Sequence, residues 1–423
     1  MILLFGALAL LLLLGMPVFA ALGLASLLYL FVHGIQPLIA VQQMFDGIDK
    51  FPLLAVPFFI LAGNLMNAAE ITDRLFAFAR SLVGHLRGGL GHVNIVASVI
   101  FSGMSGTAVA DAGGLGTVEL KAMRDQGYDI SFAVGITASS STIGPIIPPS
   151  LAMIVYGLMA NASVGQLFVA GIVPGLLMAL ALHALVWTIA VRRDYPREPR
   201  ASLAQVLASL RASALALLTP VIIVGGIVAG IVTPTEAAIV AVLYALAIGA
   251  FAYRSLSPDK LLAVLLETFE TTAVIMIMVA ASVLFGWILV RENVAVQFSQ
   301  AMLALASEPW QALLLLNLLL LIAGMIMETI AVILILTPIV LPVLHAFAID
   351  PVQFGVIMVL NLMIGLMTPP IGLLLFVMAR IGQLDLLATT RACLPFMLPL
   401  FAVLLLISLF PPITLFLPQL VYR

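Results

Sequence analysis

The chain has 423 residues, of which 64% are hydrophobic and 9% charged, with a mean hydropathy of +1.27. A soluble domain carries about 25% charged residues, so this composition excludes a soluble globule and implies a polytopic membrane protein. The net charge of −2 gives no footprint for nucleic acid, and the single cysteine, Cys393, excludes an internal disulfide.

The first apolar stretch, MILLFGALALLLLLGMPVFA, imitates a signal peptide. It lacks a basic leading segment and stays apolar to Val32, so it reads as one retained span. The expected spans in chain order are 2–31, 51–69, 131–160, 166–191, 213–232, 234–253, 261–290, 352–381 and 392–418. The longest polar stretch, about 192–211, leaves no room for a soluble domain of any size. Two further apolar regions, about 90–120 and 310–346, are ambiguous in number of crossings. The first contains SGMSGTAVADAGG, too small and polar for a helix facing lipid, and fits a re-entrant helical hairpin buried in protein.

Basic residues support that layout. Arg192, Arg193, Arg197, Arg200 and Arg211 form the strongest positive loop, which marks the cytoplasmic face. Counting spans from it keeps Arg254 and Lys260, Lys121 and Arg124, and Arg74, Arg80 and Arg87 on that face, but only if 90–120 is a hairpin. Segments 70–87 and 291–308 read as amphipathic arms at the interface. The first arm carries three arginines; the second carries Arg291 with Glu292 and Glu308, which puts the arms on opposite faces. Two ordinary loops are the alternative reading.

Scarce residues recur at a constant spacing of 221 positions. Ile143-Gly144 match Ile364-Gly365, Pro148-Pro149 match Pro369-Pro370, Gly103-Met104 match Gly324-Met325, Asp129 matches Asp350, and Pro174 matches Pro395. Proline removes a backbone donor and clashes with the preceding turn. A membrane helix interrupted at corresponding points of two halves points to a transporter's binding site. The reading is an all-α polytopic membrane protein with an inverted repeat, two re-entrant hairpins and two broken helices. The expected division is an N-terminal span and interfacial segment (1–50), a first repeat (51–191), connecting scaffold spans (192–260) and a second repeat (261–423).

Broken helices free backbone carbonyls, and unwound carbonyls with half-helix C-termini bind Na⁺ while N-termini face anions. Two Na⁺ sites follow as the expectation, each made from a hairpin tip and a broken helix. Copy one offers Ser102, Gly103, Ser105 and Gly106 with Gly144 and Pro148; copy two offers Gly324, Met327 and Thr329 with Gly365, Thr368 and Pro369. Close helix packing by small residues is the structural alternative. Ser139, Ser140, Ser141 and Thr142 offer hydroxyls for an anion path. Asp111 and Glu328 are acids in apolar surroundings and hence functional candidates, as substrate contacts or proton relays. Asp111 could instead cap the break at Gly113-Gly114. Glu236, after Pro234, reads as a helix-start residue. The histidines His33, His85, His92, His183 and His345 show no metal spacing and read as interfacial or core residues. Gly103-Met104-Ser105-Gly106 also spells the GxSG of an intramembrane serine protease, with His183 as the one histidine placed mid-span, but that reading leaves the duplication unexplained.

FILAGNLM (59–66), SGMSGTAVADAGGLG (102–116), GYDISFAVGITASSSTIGPIIPPS (127–150), TPTEAA (233–238) and MTPPIG (367–372) resemble the large membrane subunit of TRAP transporters. The resemblance covers nearly the whole chain. It implies a non-enzymatic secondary transporter of the bacterial inner membrane, with no cofactor and with Na⁺ as coupling ion. It further implies an organic-acid substrate such as a dicarboxylate, a periplasmic binding protein, a separate small four-helix membrane subunit, and elevator motion of hairpins and broken helices against a scaffold. The family's Na⁺ segments fall on Ser102 to Gly106 with Gly144 to Pro148, and on Gly324 to Thr329 with Gly365 to Pro369. Met104 departs from the small or hydroxylated residue common there. A stand-alone proton-coupled carrier, with Asp111 or Glu328 as relay, is the alternative.

Overall fold

The computed structural model describes residues 2–69 and 71–422, with the Ser105 side chain outside that description. Among the described residues every regular element is a helix, and eight are long and apolar enough to cross a membrane.

The N-terminal region corrects one expectation. Residues 2–31 are two helices, α1 (Ile2–Leu13) and α2 (Val18–Val32). Gly15 takes a left-handed φ of +79° and Pro17 precedes α2, so the apolar run reverses there. α3 (Leu38–Ile48) completes the N-terminal segment, and the first copy follows: a 3-10 turn at Phe51–Leu54, α4 (Ala55–Ala68), α5 (Ile71–Val83), α6 (Gly89–Ser105), α7 (Ala108–Gly113), α8 (Leu115–Asp125), α9 (Ile130–Ser141), α10 (Leu151–Ala160) and α11 (Val164–Arg192). The connectors are α12 (Leu203–Val228) and α13 (Pro234–Ala247), the latter ending in a π turn at Ile248–Ala252. α12 begins inside the polar loop, because Ser202 and Gln205 form a reciprocal cap. Thr233 and Glu236 cap α13 in the same way, which is the structural role read for Glu236.

The second copy comprises α14 (Pro258–Arg291), α15 (Val294–Leu305), α16 (Pro309–Ile326), α17 (Thr329–Ala346), α18 (Pro351–Leu366), α19 (Leu373–Gly382), α20 (Leu386–Leu409) and α21 (Pro412–Val421). The expected span 392–418 is thus divided, because Pro411-Pro412 cannot continue α20. The sequence spacing of 221 carries over to helix ends: Ser105 to Ile326, Ala108 to Thr329, Asp125 to Ala346 and Ile130 to Pro351. Asp129 caps α9 through the Ser131 amide at 2.7 Å, and Asp350 caps α18 through the Val352 amide at the same distance.

α6 has 17 residues, about 25 Å at 1.5 Å per residue, short of a hydrocarbon core of about 30 Å. The α7–α8 pair packs back on α6. Both ends of this hairpin meet one loop: the Gly88 amide donates to the Pro196 carbonyl at 3.2 Å, and Gln126 donates to Glu198 at 2.7 Å. The chain therefore enters and leaves on the same face, as a re-entrant hairpin must. α9 starts at that face, where Arg193 pairs with Asp129 at 3.2 Å. Past the break, Tyr156 on α10 donates to the Pro351 carbonyl at the start of α18, 2.7 Å away. α18 thus starts at the face where α10 ends, and the copies are inverted.

α9 from Phe132 and α18 from Val352 are buried on every side up to their breaks, as expected of helices apolar all round. One core spans both copies; a smaller one joins α1 and α2 to α14.

Candidate functional site

Tip one and break one are in backbone contact. Gly106 closes α6 with φ +61°, and a β-carbon there would lie 2.7 Å from the Pro149 carbonyl oxygen. A side chain is excluded by both conformation and space. Thr107 caps α7 through the Ala110 amide at 3.2 Å. A β-carbon on Gly144 would sit 3.5 Å from the Thr107 carbonyl. The helix stays unwound from Thr142 to Ser150, across Pro148-Pro149. Ser150 then caps α10 and donates to the Pro145 carbonyl at 2.5 Å. Ser102 is buried and donates to the Val99 carbonyl at 2.6 Å. Gly103 packs on the connector: its β-carbon would fall 2.5 Å from that of Pro220 on α12. The small residue at Gly103 thus serves close packing. The Ser105 side chain lies outside the described residues.

Tip two repeats the contact with different chemistry. A β-carbon on Gly365 would lie 2.8 Å from the backbone of Gly324. The Met325 carbonyl accepts from the Ile371 and Gly372 amides at 3.2 and 3.3 Å, tying the tip to the break. Met327 is extended and ends α16. Glu328 caps α17, accepting from Ile330 at 2.8 Å and Ala331 at 3.2 Å. Its carboxylate is therefore already spent on a helix N-terminus. Thr329 is buried, and its hydroxyl finds no partner among the described residues. Thr368 donates to the Ile364 carbonyl at 2.8 Å, just before Pro369-Pro370. Both Pro-Pro bonds are cis.

The two breaks face each other. The Ser139 hydroxyl lies 4.0 Å from the Met367 sulfur. α10 packs on α17, while α19 packs on α7 and α9, so each copy's second half-helix braces the other copy. The hydroxyl run is turned inward: Ser140 donates to Asn94 at 2.5 Å, Ser141 to the Ala138 carbonyl at 2.8 Å and Thr142 to the Ser139 carbonyl at 2.6 Å. All three are buried, so their hydroxyls line no open path in this state. Asp111 lies within α7, whose cap is Thr107; the expected cap at the Gly113-Gly114 break is not its role. The carboxyl of Asp111 is buried with one oxygen unpartnered among the described residues.

One buried acid escaped the sequence reading. Glu119 on α8 is 1% exposed and accepts from Asn94 at 2.7 Å; Asn94 also donates to Thr137 at 2.7 Å. Its window, VELKAMRD, looks like a solvated helix face, and only the burial of hairpin one reveals it. His183, the histidine a serine protease would need, pairs instead with His92, nitrogen to nitrogen at 2.7 Å.

At the base of hairpin one, Glu198 binds Arg80 with a closest approach of 2.6 Å and accepts from Gln126. Partial burial opposes its charge, but the bonds from Arg80 and Gln126 hold its carboxyl below the usual carboxylate range.

Residues 5–413 match the family model described as the tripartite ATP-independent periplasmic transporter, DctM component. The chain is 49% identical over 407 residues to the sialic acid TRAP transporter large permease protein SiaM of Vibrio cholerae, covering 96% of this chain and 95% of that protein. It is 40% identical over 377 residues to the C4-dicarboxylate TRAP transporter large permease protein DctM of Pseudomonas aeruginosa, covering 89% of this chain and 88% of the other. Among solved structures, the Alcanivorax borkumensis YdaH transporter, described as having an unusual topology, superposes with a TM-score of 0.59 at 16% identity, covering 90% of this chain and 88% of that one. That likeness concerns the fold alone.

Proposed function

The chain belongs to the DctM component family of tripartite ATP-independent periplasmic transporters, and from that premise we propose that it imports an organic acid on a Na⁺ gradient, taking the substrate from a periplasmic binding protein. It is a permease subunit of the bacterial inner membrane and not an enzyme, as its relatives are. Family membership brings a small membrane subunit and a periplasmic binding protein. The substrate class is a carboxylate such as the sialic acid or C4-dicarboxylates named for the relatives.

The observation that carries the reading is the pair of tip-on-break contacts, Gly106 against Pro149 and Gly324 against Gly365. Each brings the carbonyl end of a short helix against an unwound backbone, which is where a desolvated cation is stabilised in a membrane. Copy one supplies the backbone of Ser102 to Gly106 with Gly144 to Pro148. Copy two supplies Gly324 to Met327 with Gly365 to Pro369, and the free Thr329 hydroxyl adds a side-chain ligand. The substrate carboxylate sits between the two breaks. Hairpins and broken helices then move together, as an elevator, against a scaffold that includes α12, α13 and the small subunit.

Na⁺ binding is testable on the purified protein. A ligand at ten times its dissociation constant stabilises the folded state by about 1.4 kcal/mol. Na⁺, but not K⁺ or choline, is expected to raise the thermal midpoint, and Thr329→Val to weaken that rise. Equal midpoints in Na⁺ and K⁺ would remove the basis for Na⁺ sites.

A further inference from the structure

Hairpin one holds a buried carboxylate pair whose counterpart positions in hairpin two are aliphatic. Asp111, Glu119, Asn94 and Ser98 are each no more than 1% exposed. The Asn94 amide nitrogen donates to Glu119 and Thr137, and its oxygen accepts from Ser140. These bonds join α6, α8 and α9. Three oxygens in the cluster have no partner among the described residues: one from Asp111, one from Glu119, and the Ser98 hydroxyl. Asp111 on α7 and Glu119 on α8 lie on helices that pack on each other and on α6, which carries Ser98 and Asn94.

The repeat supplies an internal control. At the same spacing of 221 positions, Asp111, Glu119, Asn94 and Ser98 become Val332, Val340, Leu315 and Leu319. Copy two folds the same hairpin with aliphatic residues at these four positions, so the fold does not require carboxylates there.

Among the described residues no cation offsets the pair. On their own segment, Lys121 and Arg124 are exposed. From α6, His92 is engaged by His183. From α5, Arg74 lies over the Tyr253 ring and Arg80 binds Glu198. From α19, Arg380 is exposed, and α9 contributes Thr137 and Ser140. Two ionised carboxylates in one buried cluster, both out of water and without a described counter-charge, are prohibitively costly. A proton adds no volume and turns one free carboxylate oxygen into a donor.

We propose that Asp111 and Glu119 form a proton-binding site particular to the first copy, holding one proton between them and making transport respond to pH at fixed Na⁺. The site uses none of the residues named for the two Na⁺ sites, and its detection does not depend on them. Infrared spectra of the purified wild-type protein at neutral pH are expected to show a protonated carboxyl C=O band that shifts in D₂O. That band is altered or lost in Glu119→Gln, and the pH profile of uptake at constant Na⁺ flattens in the same variant. Absence of the band in the wild type overturns the proposal, whatever the variant does. So does a band and pH profile unchanged in Glu119→Gln. A wild-type band that vanishes on adding Na⁺ assigns the pocket to Na⁺ and likewise overturns the proton.

Discussion

Gly365 and Gly324 touch backbone to backbone, and that contact sets what each position tolerates. An alanine methyl on Gly365 meets the Gly324 backbone at 2.8 Å, where no flexible side chain can yield. Overpacking of this kind costs about 1–3 kcal/mol. Gly365→Ala is expected to lower the thermal midpoint, whereas Gly225→Ala, with nothing within 4 Å, leaves it unchanged or raises it. Equal midpoints for the two variants would refute the tight contact. Glu198 gives a pH prediction. Its folded carboxyl titrates below its unfolded value, so its stabilising contribution is present above the unfolded value of about 4.3 and is lost as pH falls through the lower folded value. Hydrogen-exchange protection of residues 84–88 and 193–200, corrected for intrinsic rate, is expected to fall across that acidic window and to be low at all pH values in Glu198→Gln. Protection indifferent to both changes would show that the ion pair does not hold the loop.

At the scale of elements, the repeat was legible because proline, glycine and aspartate are scarce and positioned by backbone need. Pro148 and Pro369 break helices, and Asp129 and Asp350 cap them, so their spacing of 221 anticipates the helix ends. Apolar residues carry less information. The run from residue 2 to 31 hid the turn at Gly15, and 392–418 hid the stop at Pro411-Pro412, because hydropathy alone does not register a single break. Side-chain roles were least legible. Ser140 looked like a pathway hydroxyl and bonds to Asn94; Glu328 looked like a functional acid and caps α17. Glu119 looked solvated beside Lys121 and is buried, because its surroundings come from α6 and α9. The hairpin topology makes its own prediction. In a Cys393→Ala background, cysteines at Arg87 and Asp125 are expected to label from one side of the membrane, and cysteines at Ser307 and Ala348 from the other. Labelling of Arg87 and Asp125 from opposite sides would replace the hairpin with a full crossing.

For the whole molecule, inversion places the two hairpins on opposite faces with their tips against breaks that face each other. Each copy's second half-helix rests on the other copy's hairpin, α10 on α17 and α19 on α7, so the two tips share a packed interface. That interlock favours a single mobile body over two independent gates, and the exposed apolar faces of α12 and α13 leave the connectors to the lipid or to a partner. The unequal tips predict unequal ions: the site proposed in copy one rests on backbone groups, whereas that in copy two adds the Thr329 hydroxyl, with Glu328 withdrawn into a cap. Stepwise Na⁺ titration of uptake is expected to resolve two affinities, with the weaker one shifted by Thr329→Val. Uptake in proteoliposomes tests the central claim most directly, with the small subunit present and substrate delivered by the binding protein, under a Na⁺ gradient or a pH gradient imposed separately. The account predicts accumulation with the inward Na⁺ gradient at equal pH on both sides, and none with the pH gradient when Na⁺ is absent. Uptake that persists without Na⁺ and collapses with the pH gradient would contradict it.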